Sequence, residues 1–206
     1  DYSGLGGHVI QVVSDLGNGV NVGIGLENLN GASGQTWDMP SADAGVGSGN
    51  DPYTHGTLVG VVSYAGEGVT AHVTGAAFGI LDGTVESWAI HAGATGTFDA
   101  FKIRGAVSYW DNFKYGGSDV LNALASVEGT FDLFKIALSG EVANVTGPVN
   151  YTDYGLGGSI GVNVTEGVSI NLGARYFFDD LNADETTTQV AAQIVAAVTE
   201  TIKVTG

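Results

Sequence analysis

The feature that most constrains this chain is a strict alternation of apolar and polar residues in segment after segment, a period that only a strand with two chemically different faces can satisfy. In residues 101 to 110, FKIRGAVSYW, Phe101, Ile103, Val107 and Tyr109 share one side with Gly105. Lys102, Arg104, Ala106 and Ser108 take the other. Residues 168 to 176, VSINLGARY, divide likewise, with Val168, Ile170, Leu172, Ala174 and Tyr176 opposite Ser169, Asn171, Gly173 and Arg175. The stretches 20–28, 69–78, 87–98, 120–131, 134–145, 154–165 and 187–199 read the same way. Residues 7–14 and 57–65 alternate less cleanly, and a last strand begins at Thr201.

The punctuation between strands is regular. Tight turns fall at Glu67, Asp99-Ala100, Asp132-Leu133, Glu166 and Glu200, a spacing of about 33 residues that marks a repeated hairpin. Two of the units share a local sequence, GTFDAFKI at 96–103 and GTFDLFKI at 129–136. The connections on the other side are longer and polar: 111–119, 146–153, 179–186 and, longest, 29–55, rich in Gly, Ser, Asn and Asp. Short turns at one end and long loops at the other are the signature of a transmembrane antiparallel up-and-down β-barrel. Segment length agrees, since an oblique bilayer crossing needs ~9–11 residues and soluble strands more often run to ~5–6.

Composition narrows the alternatives. With 34 Gly against 3 Pro, and β-branched residues throughout, helical repeats of similar period are excluded. No apolar run is long enough for a membrane helix. A formal charge of −16, from 22 acidic and 6 basic residues, opposes binding to nucleic acid or to anionic lipid headgroups. The chain has no Cys, which removes disulfides, thiolate metal sites and thiol nucleophiles. Aromatic residues gather at two levels, as amphipathic rings do at the two boundaries of a bilayer. Tyr64, Phe98, Phe101, Phe131 and Phe134 lie by the short turns. Trp88, Tyr109, Trp110, Phe113, Tyr115, Tyr154, Tyr176 and Phe178 lie near the long loops.

The segments DLGNGVNVGIGLE at 15–27 and VVSYAGEGVTAHVTGAAF at 61–78 resemble the alphaproteobacterial porin family, Brucella-type porins included. The resemblance implies sixteen strands, a homotrimer in the outer membrane of a Gram-negative bacterium, and a third loop folded into the pore between the fifth and sixth strands. If the strand starting at Thr201 is next to last, counting back makes 20–28 the fifth strand and 57–65 the sixth. Loop 29–55 then falls where the constriction belongs, about three strands are expected before Asp1, and the last strand plus part of its neighbour after Gly206.

A water-filled barrel selects solutes by the width of its constriction and the charges that line it, and needs no reaction step. Because charge is costly on the lipid side, alternation assigns Lys102, Arg104, Lys135 and Arg175 to a basic pore wall, with Lys203 in the same pattern. The lysines follow short turns directly and serve equally as solvated rim residues. The porin resemblance implies opposing carboxylates on the loop, for which Asp38, Asp43 and Asp51 are available, joined by Glu27; Glu128 and Glu141 share the polar side of the wall. The excess of acid predicts a small cation preference. His8, His55, His72 and His91 have no i+2 or i+4 partner, so no metal or cofactor is expected, and no nucleophile-elbow or other catalytic grouping stands out. The expected partners are outer-membrane lipid, small hydrophilic solutes and two further copies of the chain. The competing readings are a surface adhesin or β-solenoid and a substrate-specific channel.

Overall fold

A computed structural model describes residues 10–27, 56–85, 87–113, 117–165, 168–179, 185–197 and 203–205. They form β1 (Ile10–Gly17), β2 (Val20–Glu27), β3 (Thr57–Gly66), β4 (Val69–Phe78), β5 (Ser87–Phe98), β6 (Phe101–Phe113), β7 (Ser118–Phe131), β8 (Phe134–Thr146), β9 (Tyr151–Thr165), β10 (Val168–Asp179), β11 (Glu185–Ala197) and β12 (Lys203–Thr205). Every strand pairs antiparallel with its neighbours in chain order, giving one twelve-stranded up-and-down sheet whose end strands β1 and β12 have a single partner each among the described residues. Between β4 and β5 the chain makes one 3₁₀ turn, Ile80–Asp82.

From β6 to β10 the strands match the alternating segments at their short-turn ends and run beyond them at the other, whereas β4 and β5 keep the expected bounds at both ends. β6 continues to Phe113, β9 begins at Tyr151 and β10 reaches Asp179. The expected loops 111–119, 146–153 and 179–186 are shorter for that reason. Alternation records where one face must be apolar; past that level both faces are wet, and the backbone ladder continues without leaving a periodic trace.

The register gives the tilt. One row of paired residues runs Val22, Val62, Val73, Ala92, Val107, Ala123, Val142, Tyr154, Phe178 from β2 to β10. Val22 is two positions from Val20, where β2 leaves its short turn, whereas Phe178 is ten positions from Val168, where β10 does. A drift of about one residue per strand, ~3.3 Å along the chain against ~4.8 Å sideways, inclines the strands by roughly 35°. That is the inclination of a closing barrel, not of a flat sheet.

Among the described residues this sheet has no second layer. The only buried hydrophobic residues among those described are Phe78 and Val145, each 9% exposed, while Ile24, Val62, Ile103, Leu138, Leu156, Leu172 and their neighbours on the same face lie open. A continuous band of this kind is far larger than the apolar patches water-soluble proteins carry.

Four of the described short turns are tied to the next hairpin, which keeps the staircase in step. Backbone bonds run from Ala65 N to Gly19 O, Thr97 N to Gly68 O, Thr130 N to Ala100 O and Asn163 N to Leu133 O. Asn18 and Gly19 both take positive φ, 52° and 80°, as a two-residue hairpin matched to strand twist requires. Near these turns Phe101 and Phe131 meet edge to face with ring centroids 5.7 Å apart. At the opposite end Trp88 lies against Tyr109 at 5.2 Å, and Tyr154 stacks on Phe178 at 4.9 Å. Trp110 departs from the expected girdle: register puts it on the polar face, where it stacks on Phe78 at 5.0 Å and donates from Nε1 to Ser87 Oγ at 2.7 Å.

Candidate functional site

The register sorts the strand charges. Asp15, Glu27, Lys102, Arg104, Glu128, Lys135, Glu141, Asp153 and Arg175 all share the polar face, carried from strand to strand by direct pairing such as Lys102 with Glu128, Leu124 with Glu141 and Arg175 with Gly157. Lys203 has the same register through its partner Ala197. On the apolar face the charged residues with described side chains are Asp111 and Asp119, both at the long-loop end. There Asp119 accepts from Tyr109 Oη at 3.0 Å and from the Asn112 amide at 3.0 Å.

The four candidate bases fall at three levels. Lys102 and Lys135 are the second residues of β6 and β8, at the short-turn rim, and Arg104 is one register row further in. Arg175 is eighth in β10, level with Glu141, eighth in β8. Two of the bases are paired with acids of the same wall. Lys135 Nζ lies 3.1 Å from Glu128 Oε1, a diagonal contact between adjacent strands. Arg175 donates from Nη2 to Glu141 Oε1, and its guanidinium sits 5.2 Å from the ring centre of Phe177. Arg104 has no ion-pair partner among the described residues.

The Arg175–Glu141 pair crosses a whole strand, and glycine makes the crossing possible. On the polar face of β9 the residues beneath it are Gly155 and Gly157; a Cβ at Gly155 would stand 2.7 Å from Glu141 Oε1, and one at Gly157 2.7 Å from Ser139 Oγ. At Gly161 a Cβ would meet Asn171 Oδ1 at 2.5 Å. β9 is therefore a low floor over which polar groups of β8 and β10 reach each other.

Glu27 closes β2 opposite Thr57, at the start of the longest connection. Asp38, Asp43 and Asp51 lie outside the described residues. So do His8 and His55.

One grouping was not expected. His72 and His91, nineteen residues apart, come together on the polar face of β4 and β5: His72 Nε2 and His91 Nδ1 are 2.9 Å apart, and the rings stack with centroids at 4.9 Å. Spacing within one strand cannot reveal such a pair. The hairpin register can, since His72 pairs with Gly93 and His91 with Thr74, a diagonal contact of the kind that joins long side chains across strands. Gly93 supplies the seat, as a Cβ there would lie 2.8 Å from His72 Cε1.

No family model matches the sequence, and no curated protein is similar to it. Among solved structures it is similar in fold to the anion-selective porin from Comamonas acidovorans, with a TM-score of 0.56 and 13% identity over 90% of this chain and 56% of that one. It is also similar to the outer membrane channel DcaP of Acinetobacter baumannii, at a TM-score of 0.61 and 7% identity, covering 60% of that chain. A porin refined at 1.8 Å resolution aligns with a TM-score of 0.53 and 15% identity over 61% of its chain. The present chain thus spans between 56% and 61% of the length of these three, and what it has in common with them is the porin fold.

Proposed function

We propose that this chain belongs to an outer-membrane porin, a water-filled channel for the passive diffusion of small hydrophilic solutes and ions, with no catalytic step. The observation that carries the reading is the division of the sheet into an exposed apolar band and a face holding nearly all strand charge. Hydrocarbon on one side and water on the other is the environment that both faces satisfy.

Closure follows from the same geometry. At a tilt of roughly 35° each strand occupies ~5.9 Å of circumference, so sixteen strands enclose a backbone cylinder of roughly 15 Å radius, wide enough to leave an aqueous lumen after side chains are placed. The resemblance of residues 15–27 and 61–78 to alphaproteobacterial porins supports that strand number. It makes β2 the fifth strand and β10 the thirteenth, eight apart in sixteen and therefore across the lumen from each other. Residues 29–55 then form the constriction loop. Glu27, Asp38, Asp43 and Asp51 face Arg104, Arg175 and Glu141, with Lys102 and Lys135 at the periplasmic rim. The transverse field orients dipolar solutes in the narrow section, and the acid excess gives a small cation preference. The protein resides in the outer membrane of a Gram-negative bacterium as a homotrimer.

Purified full-length protein in planar bilayers is expected to give stable ohmic steps and, in a salt gradient, a reversal potential of slight cation preference. Failure to insert or conduct removes the porin reading. Block by one solute at low concentration would replace it by a substrate-specific channel.

A further inference from the structure

The polar face of β3, β4 and β5 carries no Lys, Arg, Asp or Glu, and its most reactive feature is the His72–His91 pair. Imidazole is the preferred nitrogen ligand for divalent zinc, copper and nickel. Two nitrogens bound in cis positions at ~2.05 Å from one ion stand ~2.9 Å apart at a right angle and ~3.3 Å apart at the tetrahedral angle. The observed 2.9 Å between His72 Nε2 and His91 Nδ1 falls within that requirement. The two nitrogens meet as hydrogen-bond partners, so a metal ion would take the place of the proton they share, and His72 is exposed on the polar face, open to an ion arriving from that side.

We infer that His72 and His91 form a two-imidazole site for a divalent transition-metal cation, with water completing the coordination. The surroundings suit a cation. Register flanks the pair with hydroxyl residues, Ser63 opposite His72 on β3 and Ser108 opposite His91 on β6, which can hydrogen-bond metal-bound water. The nearest strand cation in register is Arg104, opposite Thr95, four residues along β5 from His91 and so ~13 Å away along the strand. Gly93 leaves free the space that the His72 ring occupies. The consequence for permeation rests on the porin reading: an ion held there adds positive charge to an otherwise neutral arc of the lumen and moves selectivity toward anions.

Two measurements separate the site from that reading. In the first, full-length folded protein in detergent is titrated with Cu²⁺ and followed by electron paramagnetic resonance. One ion per chain with superhyperfine coupling to two nitrogens is expected, retained in H8Q/H55Q and lost in H72Q/H91Q with at least about a tenfold weakening of binding. A spectrum without nitrogen coupling, or one unchanged in H72Q/H91Q, overturns the site whether or not the protein conducts. In the second, Zn²⁺ added to the channel in a bilayer is expected to shift the reversal potential toward anions. A shift of equal size in H72Q/H91Q overturns the assignment, while copper binding by a protein that does not conduct leaves the site standing and removes the porin.

Discussion

Two stretches of one sheet, β3–β5 and β6–β10, have the same backbone plan and opposite chemistry on the polar face. The first is neutral, offering Ser63, Thr70, Thr74, Thr95 and the histidine pair, and its long-loop end is closed by Thr57, Phe78 and Ser87, all buried. The second holds Lys102, Arg104, Glu128, Lys135, Glu141 and Arg175. Alternation and register decide which side chains share a face in both, so the difference lies wholly in which residues occupy those positions. The lesson is that the backbone makes the wall and a few positions make its field, concentrated on one arc. The neutral arc adjoins the long connection after Glu27, the segment proposed to enter the lumen, where an unpaired wall charge would be buried against the loop at a cost. Glycine serves both arcs alike, as a seat for His72 in one and for Glu141 in the other.

The largest expected effect tests whether wall and lipid face are opposed at all. Ala106 and Val107 are adjacent in β6, at the middle of the strand and on opposite faces. Val107→Arg places a charge in hydrocarbon and is expected to cost ~2–4 kcal/mol of folding stability in a bilayer, whereas Ala106→Arg, one residue away, costs close to nothing. Denaturant titration of both variants folded into lipid vesicles measures this. Equal costs would remove the distinction between the faces.

Next in size is the contrast in selectivity between the arcs. Arg175→Gln leaves Glu141 without its partner and is expected to move the reversal potential toward cations; Glu141→Gln moves it toward anions. Thr74→Gln, on the neutral arc, moves it in neither direction. Stability should change little, because the pair is about half exposed and such contacts contribute roughly 0–1 kcal/mol. The selectivity shifts should shrink as salt rises from 0.1 M to 1 M, as the screening length falls from ~10 Å to ~3 Å. Lys135→Gln, at the rim, is expected to act in the same direction as Arg175→Gln by a smaller amount. A rim effect as large as that of Arg175 would place the narrow section at the short-turn end.

Much of this is legible in the sequence. Period two decided the face of Lys102, Arg104, Lys135 and Arg175, and the GTFDxFKI repeat decided which strand ends carry short turns. What the chain did not disclose was partnership across strands. Glu128 with Lys135 requires the hairpin register, His72 with His91 requires it too, and Arg175 with Glu141 also requires glycines on the strand between them. The inward placement of Trp110 follows from its even position beside Lys102 and Arg104, a signal outweighed by the general preference of tryptophan for the interface. From β6 to β10 the strands outran their alternating segments because the backbone ladder continues where neither face has to be apolar.

The smallest expected effect concerns the glycine floor itself. In Gly155→Ala the new methyl would stand 2.7 Å from Glu141 Oε1, the end of a flexible side chain, so the carboxylate swings away and the bridge to Arg175 opens. Losing an exposed pair costs roughly 0–1 kcal/mol, and replacing a strand glycine by alanine recovers ~0.4–1 kcal/mol by restricting the unfolded chain, so stability should stay nearly level. The charge of the wall is also unchanged, since both ionised groups remain. The reversal potential should therefore move less than in Arg175→Gln. What should change is the sensitivity to a second substitution: with the bridge already open, Arg175→Gln adds in the Gly155→Ala background the same charge effect but no further structural one. A double-mutant cycle in stability that gives a coupling near zero would mean that Gly155 does not hold the bridge, and that the low floor of β9 serves only to let the two strands approach.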